Sequence, residues 1–116
     1  MPGTDSVGIL LYMESNGATT VGHNSASLND DGIFLFDNVV GTQITNNSST
    51  QNEVTGITAD STTSSNTISY NKASGNTMFD CEDDSTGGGT AGTANFWIKD
   101  FGQTESPPGI CKQTGP

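Results

Sequence analysis

Short apolar residues alternate with polar ones along most of the chain, and the alternation returns with a period of 24 residues. The first segment of each unit lies at residues 8–12 (GILLY), 32–36 (GIFLF) and 56–60 (GITAD). A period of two is typical of β-strands, and no segment sustains the spacing of an amphipathic helix. The pattern therefore predicts that each unit begins with a strand whose alternate apolar residues share one face.

Two further columns of small or apolar residues repeat along the units and predict two more short strands in each. The members of these columns are Val21, Ile44, Ile68 and Ala26, Ser49, Ala73. Clusters of Gly, Asn, Ser and Thr separate the segments at similar places in every unit, as turns require.

Asparagines recur in register with the second column, three and eight residues after each of its members. These asparagines are Asn24, Asn47, Asn71, Asn29, Asn52 and Asn76. A unit of this size cannot bury its apolar face alone, whereas stacked units place like residues above one another. Stacking would let the two asparagine columns form hydrogen-bonded ladders beside turns whose conformation asparagine tolerates.

The repeat therefore predicts an all-β, right-handed parallel β-helix of about three to four 24-residue coils with a disulfide-linked C-terminal cap. Residues 1–79 would form the coils, with units near 8–31, 32–55 and 56–79. Residues 80–116 would form the last coil and the capping tail. An antiparallel sandwich rich in Thr and Ser is the alternative.

The unit at residues 66–76 (NTISYNKASGN) resembles the repeat of the right-handed parallel β-helix superfamily. It is close to the repeat consensus of the periplasmic proteins similar to the copper-binding maturation factor of nitrous oxide reductase. Residues 76–83, 92–97 and 106–111 resemble the C-terminal end of secreted bacterial β-helix proteins. The resemblance implies the fold but no activity, because enzymes and non-enzymes share this repeat. Copper binding is not expected, because His23 is the chain's lone histidine.

The cap prediction depends on Cys81 and Cys111, the chain's two cysteines. In the 24-residue register Cys81 occupies the column of Ile9 and Ile33, so it should point inward. A disulfide is the leading interpretation in a small Thr- and Asn-rich β protein, and two buried free thiols are the alternative. A bridge would fold the tail across the last coil, with Trp97, Phe96 or Ile98 covering it. The N-terminal end has no comparable cap, which favours the C-terminal part of a longer β-helix protein over self-association.

The net charge of −10, with three lysines and no arginine, disfavours nucleic-acid binding and attraction to anionic membranes. No apolar run approaches the ~20 residues of a membrane span, so membrane insertion is not expected. A disulfide in a small β protein favours an extracellular or cell-surface location.

The sequence assigns no catalytic residue and favours a non-enzyme. Polysaccharide lyases of the superfamily use an arginine or lysine base, and this chain has no arginine. Hydrolases need clustered acids, and only Asp37 and Asp60 could stack on adjacent coils. The acidic run is the best metal candidate, since Ca²⁺ prefers several carboxylate and carbonyl oxygens, although a solvated turn is the plainer alternative. That run contains Asp80, Glu82, Asp83 and Asp84.

Strand alternation places four apolar side chains on the outer side of the first strand column, namely Leu10, Tyr12, Phe34 and Phe36. Exposed apolar patches often mark a binding or assembly surface. The alternative is that the C-terminal tail, or a segment absent from this sequence, covers them. We therefore expect an extracellular structural, adhesive or assembly module, whose candidate partners are further copies of itself, in a trimer or fibre, or a glycan. One alternative is a carbohydrate-binding module, or the non-catalytic end of a polysaccharide-active enzyme. The second is a small polysaccharide lyase or hydrolase.

Overall fold

The computed structural model describes residues 6–15, 17 and 19–111, which wind into a parallel β-solenoid of about four turns. A short 3₁₀ turn, Thr90–Gly92, precedes the last coil's second strand. The strands in chain order are β1 (Val7–Tyr12), β2 (Thr20–Gly22), β3 (Ser25–Ser27), β4 (Asp31–Phe36), β5 (Gln43–Thr45), β6 (Ser48–Thr50), β7 (Thr55–Ala59), β8 (Thr67–Ser69), β9 (Lys72–Ser74), β10 (Phe79–Asp83), β11 (Phe96–Ile98) and β12 (Glu105–Ser106).

Three parallel sheets run along the solenoid, one for each strand of the coil. Sheet A has the order β1-β4-β7-β10-β12, sheet B the order β2-β5-β8-β11, and sheet C the order β3-β6-β9. Every strand pair among the described residues is parallel. This arrangement confirms the predicted fold of stacked coils, and the antiparallel sandwich is wrong.

The strand register stacks like residues, as the repeat predicts. In sheet A, Ile9 pairs with Ile33, Ile33 with Ile57, and Ile57 with Cys81. In sheet B, Ile44 pairs with Ile68. These side chains lie inside the solenoid, and those at positions 33, 44, 57, 68 and 81 have no exposed surface. Burial of these columns away from water provides the main stabilising free energy of the coils.

The glycine that opens each unit is required by the space around it. A Cβ atom on Gly32 would lie 1.9 Å from Ser49 Oγ and 2.7 Å from Asn52 Nδ2. One on Gly56 would lie 2.6 Å from Asn76 Nδ2. The strand therefore passes so close to an asparagine column that no side chain fits between them.

Both predicted asparagine columns form hydrogen-bonded ladders. In the first, the backbone N–H and side-chain amide of Asn47 donate to Asn71 Oδ1, at 2.9 and 3.0 Å. In the second, the same groups of Asn52 donate to Asn76 Oδ1, at 2.9 and 2.8 Å. Each of these four asparagines is nearly fully buried, so the ladders satisfy polar groups whose burial would otherwise be costly.

A third ladder lies at the turn between sheets A and B, and the repeat did not reveal it. Thr42 donates its backbone N–H to Asn66 Oδ1 at 2.8 Å. Asn66 in turn donates its backbone N–H and its side-chain amide to Asn95 Oδ1, at 3.1 and 2.9 Å. All three turns of the coil are therefore lined by stacked polar side chains.

The C-terminal cap is closed by a disulfide between Cys81 and Cys111, whose Cα atoms are 6.4 Å apart. The bridge confirms the predicted pairing, and the alternative of two free thiols is wrong. The Glu105 carboxylate accepts hydrogen bonds from the backbone N–H groups of Gly109, Ile110 and Cys111, at 2.8 to 2.9 Å. These bonds hold the last described residues against the end of sheet A.

One of the three residues expected to cover the last coil does so. Trp97 pairs with Ile68 at the end of the sheet B column and is only 4% exposed. Phe96 and Ile98 flank it on the same strand and are 44% and 45% exposed. Because alternate residues of a strand face opposite ways, only Trp97 can enter the core.

Candidate binding surfaces

The four apolar residues predicted on the outer side of sheet A lie there in register. Leu10 pairs with Phe34, and Tyr12 pairs with Phe36. The Tyr12 and Phe36 rings stack at 5.8 Å between centroids, and the Phe34 and Phe36 rings lie 5.3 Å apart. Leu10, Tyr12 and Phe36 are 53%, 52% and 41% exposed. We call these four residues the apolar face.

The described part of the C-terminal tail, up to Cys111, does not cover the apolar face. Its residues up to Cys111 lie at the opposite end of sheet A, where β12 pairs with β10 and Cys111 is bonded to Cys81. The half-exposed side chains of Leu10 and Tyr12 agree with this placement. Covering by this part of the tail is therefore wrong, and residues 112–116 lie outside the described residues.

The same outer surface becomes polar and acidic toward the C-terminal coils. Phe34 pairs with Thr58, and Thr58 pairs with Glu82. Partial burial raises the pKa of the Glu82 carboxyl, and the nearby charges of Asp84 and Asp31 raise it further. The outer surface of sheet A is thus divided into an apolar half and an acidic half.

The acidic run proposed as a calcium site is divided between two faces of β10. Asp80 and Asp83 are buried, whereas Glu82 is only partly buried and Asp84 is exposed. Asp83 Oδ2 accepts hydrogen bonds from Trp97 Nε1 at 2.8 Å and from Asn95 Nδ2 at 3.0 Å. No cluster of three or more His, Cys, Asp or Glu suited to a metal occurs among the described residues. Calcium binding stays a prediction that the arrangement of these carboxylates does not support.

Asp37 and Asp60 lie next to each other on adjacent coils, but the contact joins the backbone of Asp37 to the carboxylate of Asp60 and does not pair the two carboxylates. Asp60 Oδ2 accepts the backbone N–H of Asp37 at 2.9 Å, and Oδ1 accepts the backbone N–H of Thr62 at 2.9 Å. Partial burial raises the pKa of Asp60, but these bonds and the Thr62 hydroxyl outweigh it, so the net pKa is lowered. An acid with a lowered pKa is poorly suited to donate the proton that glycoside hydrolysis needs.

A shallow groove of about 490 Å³ lies outside the turn between sheets B and C, where the sequence pattern predicts no site. Tyr70 and Phe101 are 59% and 37% exposed, and Lys72 and Lys99 are two of the chain's three lysines. The groove is lined by Asn46, Tyr70, Asn71, Lys72, Lys99 and Phe101. We call it the lysine groove.

The register of the last two coils builds the lysine groove. Tyr70 donates its backbone N–H to Ile98 O at 3.0 Å, which sets Tyr70 beside Lys99. Lys72 forms a parallel bridge with Phe101. Each coil therefore supplies one aromatic ring and one ammonium group, with a ring beside an ammonium group in both columns.

The turn conformation directs the groove residues outward. Asn46, Tyr70 and Lys99 have positive φ angles of 58°, 57° and 58°, and each precedes a ladder residue. In this left-handed conformation the ladder side chain points inward while the preceding side chain points to solvent. The 24-residue repeat gives no signal for the groove, because its two coils pair at an offset of 29 residues.

No protein-family model matches the chain, no curated protein matches its sequence, and no solved structure matches its fold. Membership of the right-handed parallel β-helix superfamily therefore stays a prediction, carried by the repeat residues, whereas the parallel β-solenoid is shown. Within the described part of the chain, no helix has the length and apolar character needed to cross a bilayer.

Proposed function

We propose that the chain is a non-catalytic structural module of an extracellular β-helix protein, and that it associates with a second copy of itself through the apolar face. The observation that carries the proposal is the registered stack of Leu10, Tyr12, Phe34 and Phe36 on two adjacent coils. Phe34 is partly buried and the other three side chains are exposed. Exposed apolar clusters of this kind usually mark contact surfaces.

The distribution of charge favours a second copy as the occupant. The apolar face lies on the first two coils of sheet A, whereas Glu82 and Asp84 lie on the fourth. A two-fold pairing can bring the two apolar halves together while the acidic halves point away from each other. A trimer or a fibre that buries the same residues would support the proposal equally.

The size of the apolar face sets the expected strength of association. A stable interface typically buries about 800 Å² per partner, and four side chains cover only part of that area. We therefore expect weak association, with a Kd on the order of micromolar. The Cys81–Cys111 disulfide supports an extracellular location, because disulfides persist in oxidising compartments.

Sedimentation equilibrium on the wild type and two matched variants tests the proposal. Phe36→Ser removes a ring from the apolar face, and Phe96→Ser removes a ring of similar exposure (44% against 41%) from sheet B. We expect the wild type and Phe96→Ser to exceed the monomer mass of 12.0 kDa at high micromolar concentration, and Phe36→Ser to remain monomeric. A monomeric wild type, or equal association of both variants, would contradict the proposal.

A further inference from the structure

We infer that the lysine groove binds an acidic saccharide, with Tyr70 and Phe101 contacting the sugar rings and Lys72 and Lys99 binding their carboxylates. The groove lies on sheets B and C, whereas the apolar face lies on sheet A. Saccharide binding in the groove therefore does not depend on self-association through the apolar face.

The chemistry of the groove fits a ligand that is both ring-shaped and anionic. Half-exposed aromatic rings offer flat apolar surface with a polar edge, and the C–H faces of pyranose rings pack well on such surfaces. The two ammonium groups are mobile point charges with three donors each. The Asn46 side chain, one coil away from Tyr70, adds an amide that can bond sugar hydroxyls.

The spacing of the groove fits an oligosaccharide. Ring and ammonium group repeat from one coil to the next at the ~4.8 Å strand spacing, which is comparable to the length of one pyranose unit. Tyr70 lies beside Lys99 and Lys72 beside Phe101, so successive sugars would each meet a ring and a cation.

The net charge of −10 would repel an acidic ligand if the acids were evenly spread, but they are not. The strands of sheets B and C carry no carboxylate at all, since their sequences are TVG, SAS, QIT, SST, TIS, KAS and FWI. The acid nearest the groove in sequence is Asp100, which is 2% exposed and bonded to Asn71 inside the turn. Lys72 and Lys99 are therefore the exposed charges among the residues that line the groove, and a cleft lined by one sign of charge attracts ions of the opposite sign.

Titration of the intact chain with a galacturonic acid trimer tests the inference, with chemical shifts followed by NMR. The fully methyl-esterified trimer is the matched ligand control, because it keeps the rings and loses the charges. We expect shifts confined to the groove residues, saturable binding in the millimolar range or tighter, at least tenfold weaker binding of the ester, and weakening by added salt.

In two variants, a groove residue is replaced by the residue that lies at the equivalent position of the preceding coil. Tyr70→Asn copies Asn46, and Lys72→Ser copies Ser48, so both keep the turn and strand chemistry. His23→Asn, in the same positive-φ column but outside the groove lining, is the control. We expect each groove variant to weaken trimer binding at least tenfold and the control to leave it unchanged.

Several results would overturn the inference. These are no saturable binding of the trimer, equal binding of the ester, unchanged binding by either groove variant, and shifts centred on the apolar face. A hexaglutamate peptide that binds as tightly as the trimer would also overturn it, because the partner would then be an acidic peptide. Folding of each variant is checked by its amide spectrum, and Lys99→Asn replaces any variant that fails to fold.

Discussion

The carboxylate of Asp100 receives both the backbone N–H and the side-chain amide of Asn71, at 3.0 and 2.8 Å. It occupies the place that the next asparagine of the ladder would take. Asp80 does the same for Asn76, at 3.1 and 2.9 Å. An ionised aspartate accepts hydrogen bonds and donates none from its side chain, so both ladders end at the capped end of the solenoid.

The hydrogen bonds of both ladders all run in one direction, toward the aspartates at the C-terminal end. Each asparagine donates to the coil that follows it, so a ladder begins with free acceptors and ends with an acceptor-only residue. The Oδ1 atoms of Asn24 and Asn29 receive no hydrogen bond from the described residues, unlike those of Asn47 and Asn52.

Burial of Asp100 predicts a pH dependence of stability. Burial raises the pKa of its carboxyl to about 7, although the hydrogen bonds from Asn71 and Ile98 lower it. An unfolded aspartate titrates near 3.9, so between pH 4 and 7 the folded state holds this proton more tightly. The contribution of Asp100 to stability is therefore greatest below pH 4 and declines up to pH 7.

We expect Asp100→Asn to remove that decline. The stability of the variant relative to the wild type should rise by roughly 2–4 kcal/mol between pH 4 and pH 8. Urea denaturation of both proteins at each pH measures the difference. Parallel pH profiles would show that Asp100 titrates normally in the folded state.

The same substitution should have different effects at the middle and at the start of a ladder. In the wild type, Asn52 Nδ2 donates a hydrogen bond to Asn76 Oδ1 at 2.8 Å. At neutral pH, Asn52→Asp would replace this donor with a buried negative charge that faces the same oxygen. We expect a loss of about 3–5 kcal/mol in the free energy of unfolding. Asn24→Asp changes an exposed residue and should cost less than about 1 kcal/mol. Equal losses by urea denaturation would mean that the ladders carry no special stability.

A methyl group on Gly32 should strain the second coil, because a Cβ atom there would lie 1.9 Å from Ser49 Oγ and 2.7 Å from the Gly56 carbonyl oxygen. We expect Gly32→Ala to lower the free energy of unfolding by about 2–3 kcal/mol. Gly88→Ala is the matched control, because nothing lies within 4 Å of its Cβ position. A Gly32→Ala variant that melts with the control would refute the close approach.

The disulfide should stabilise the cap through the loop that it closes. Cys81 and Cys111 are 30 residues apart, for which chain entropy gives about 3–4 kcal/mol. We expect the double variant Cys81→Ala/Cys111→Ala to lose that amount in urea denaturation. The unfolded wild type should show no titratable thiol before reduction. Two free thiols, or an unchanged denaturation midpoint, would count against the bridge.

The coil columns could be predicted from the sequence because each coil places like residues in like positions. The Ile9 column and the inward position of Cys81 follow the 24-residue period. The asparagines of two ladders follow it as well, except that their first step is 23 residues, because the first unit is one residue shorter. The outward position of Leu10 and Phe34 follows from strand alternation alone. These features need only local pattern and stacking, and the structure confirms them.

The lysine groove and the third ladder could not be predicted because the last coil leaves that period. Tyr70 lies beside Lys99 and Asn66 beneath Asn95, each pair 29 residues apart and not 24. The five extra residues lie in the segment between β10 and β11. Residues of β11 and the turn after it therefore pair with residues that the 24-residue repeat does not align with them. Calcium binding by the acidic run stays a prediction, and the sequence did not reveal that Asp80 and Asp83 accept hydrogen bonds inside the coil.

Both proposed surfaces are built from residues on neighbouring coils, so both depend on the ladders that set the coil register. Hydrogen exchange of the asparagine side-chain amides, followed by NMR, tests this frame most directly. We predict strong protection for the buried amides of Asn47, Asn52, Asn66, Asn71 and Asn76, and fast exchange for the exposed amide of Asn38. Uniformly fast exchange of all these side chains would contradict the stacked ladders and, with them, the account given for both surfaces.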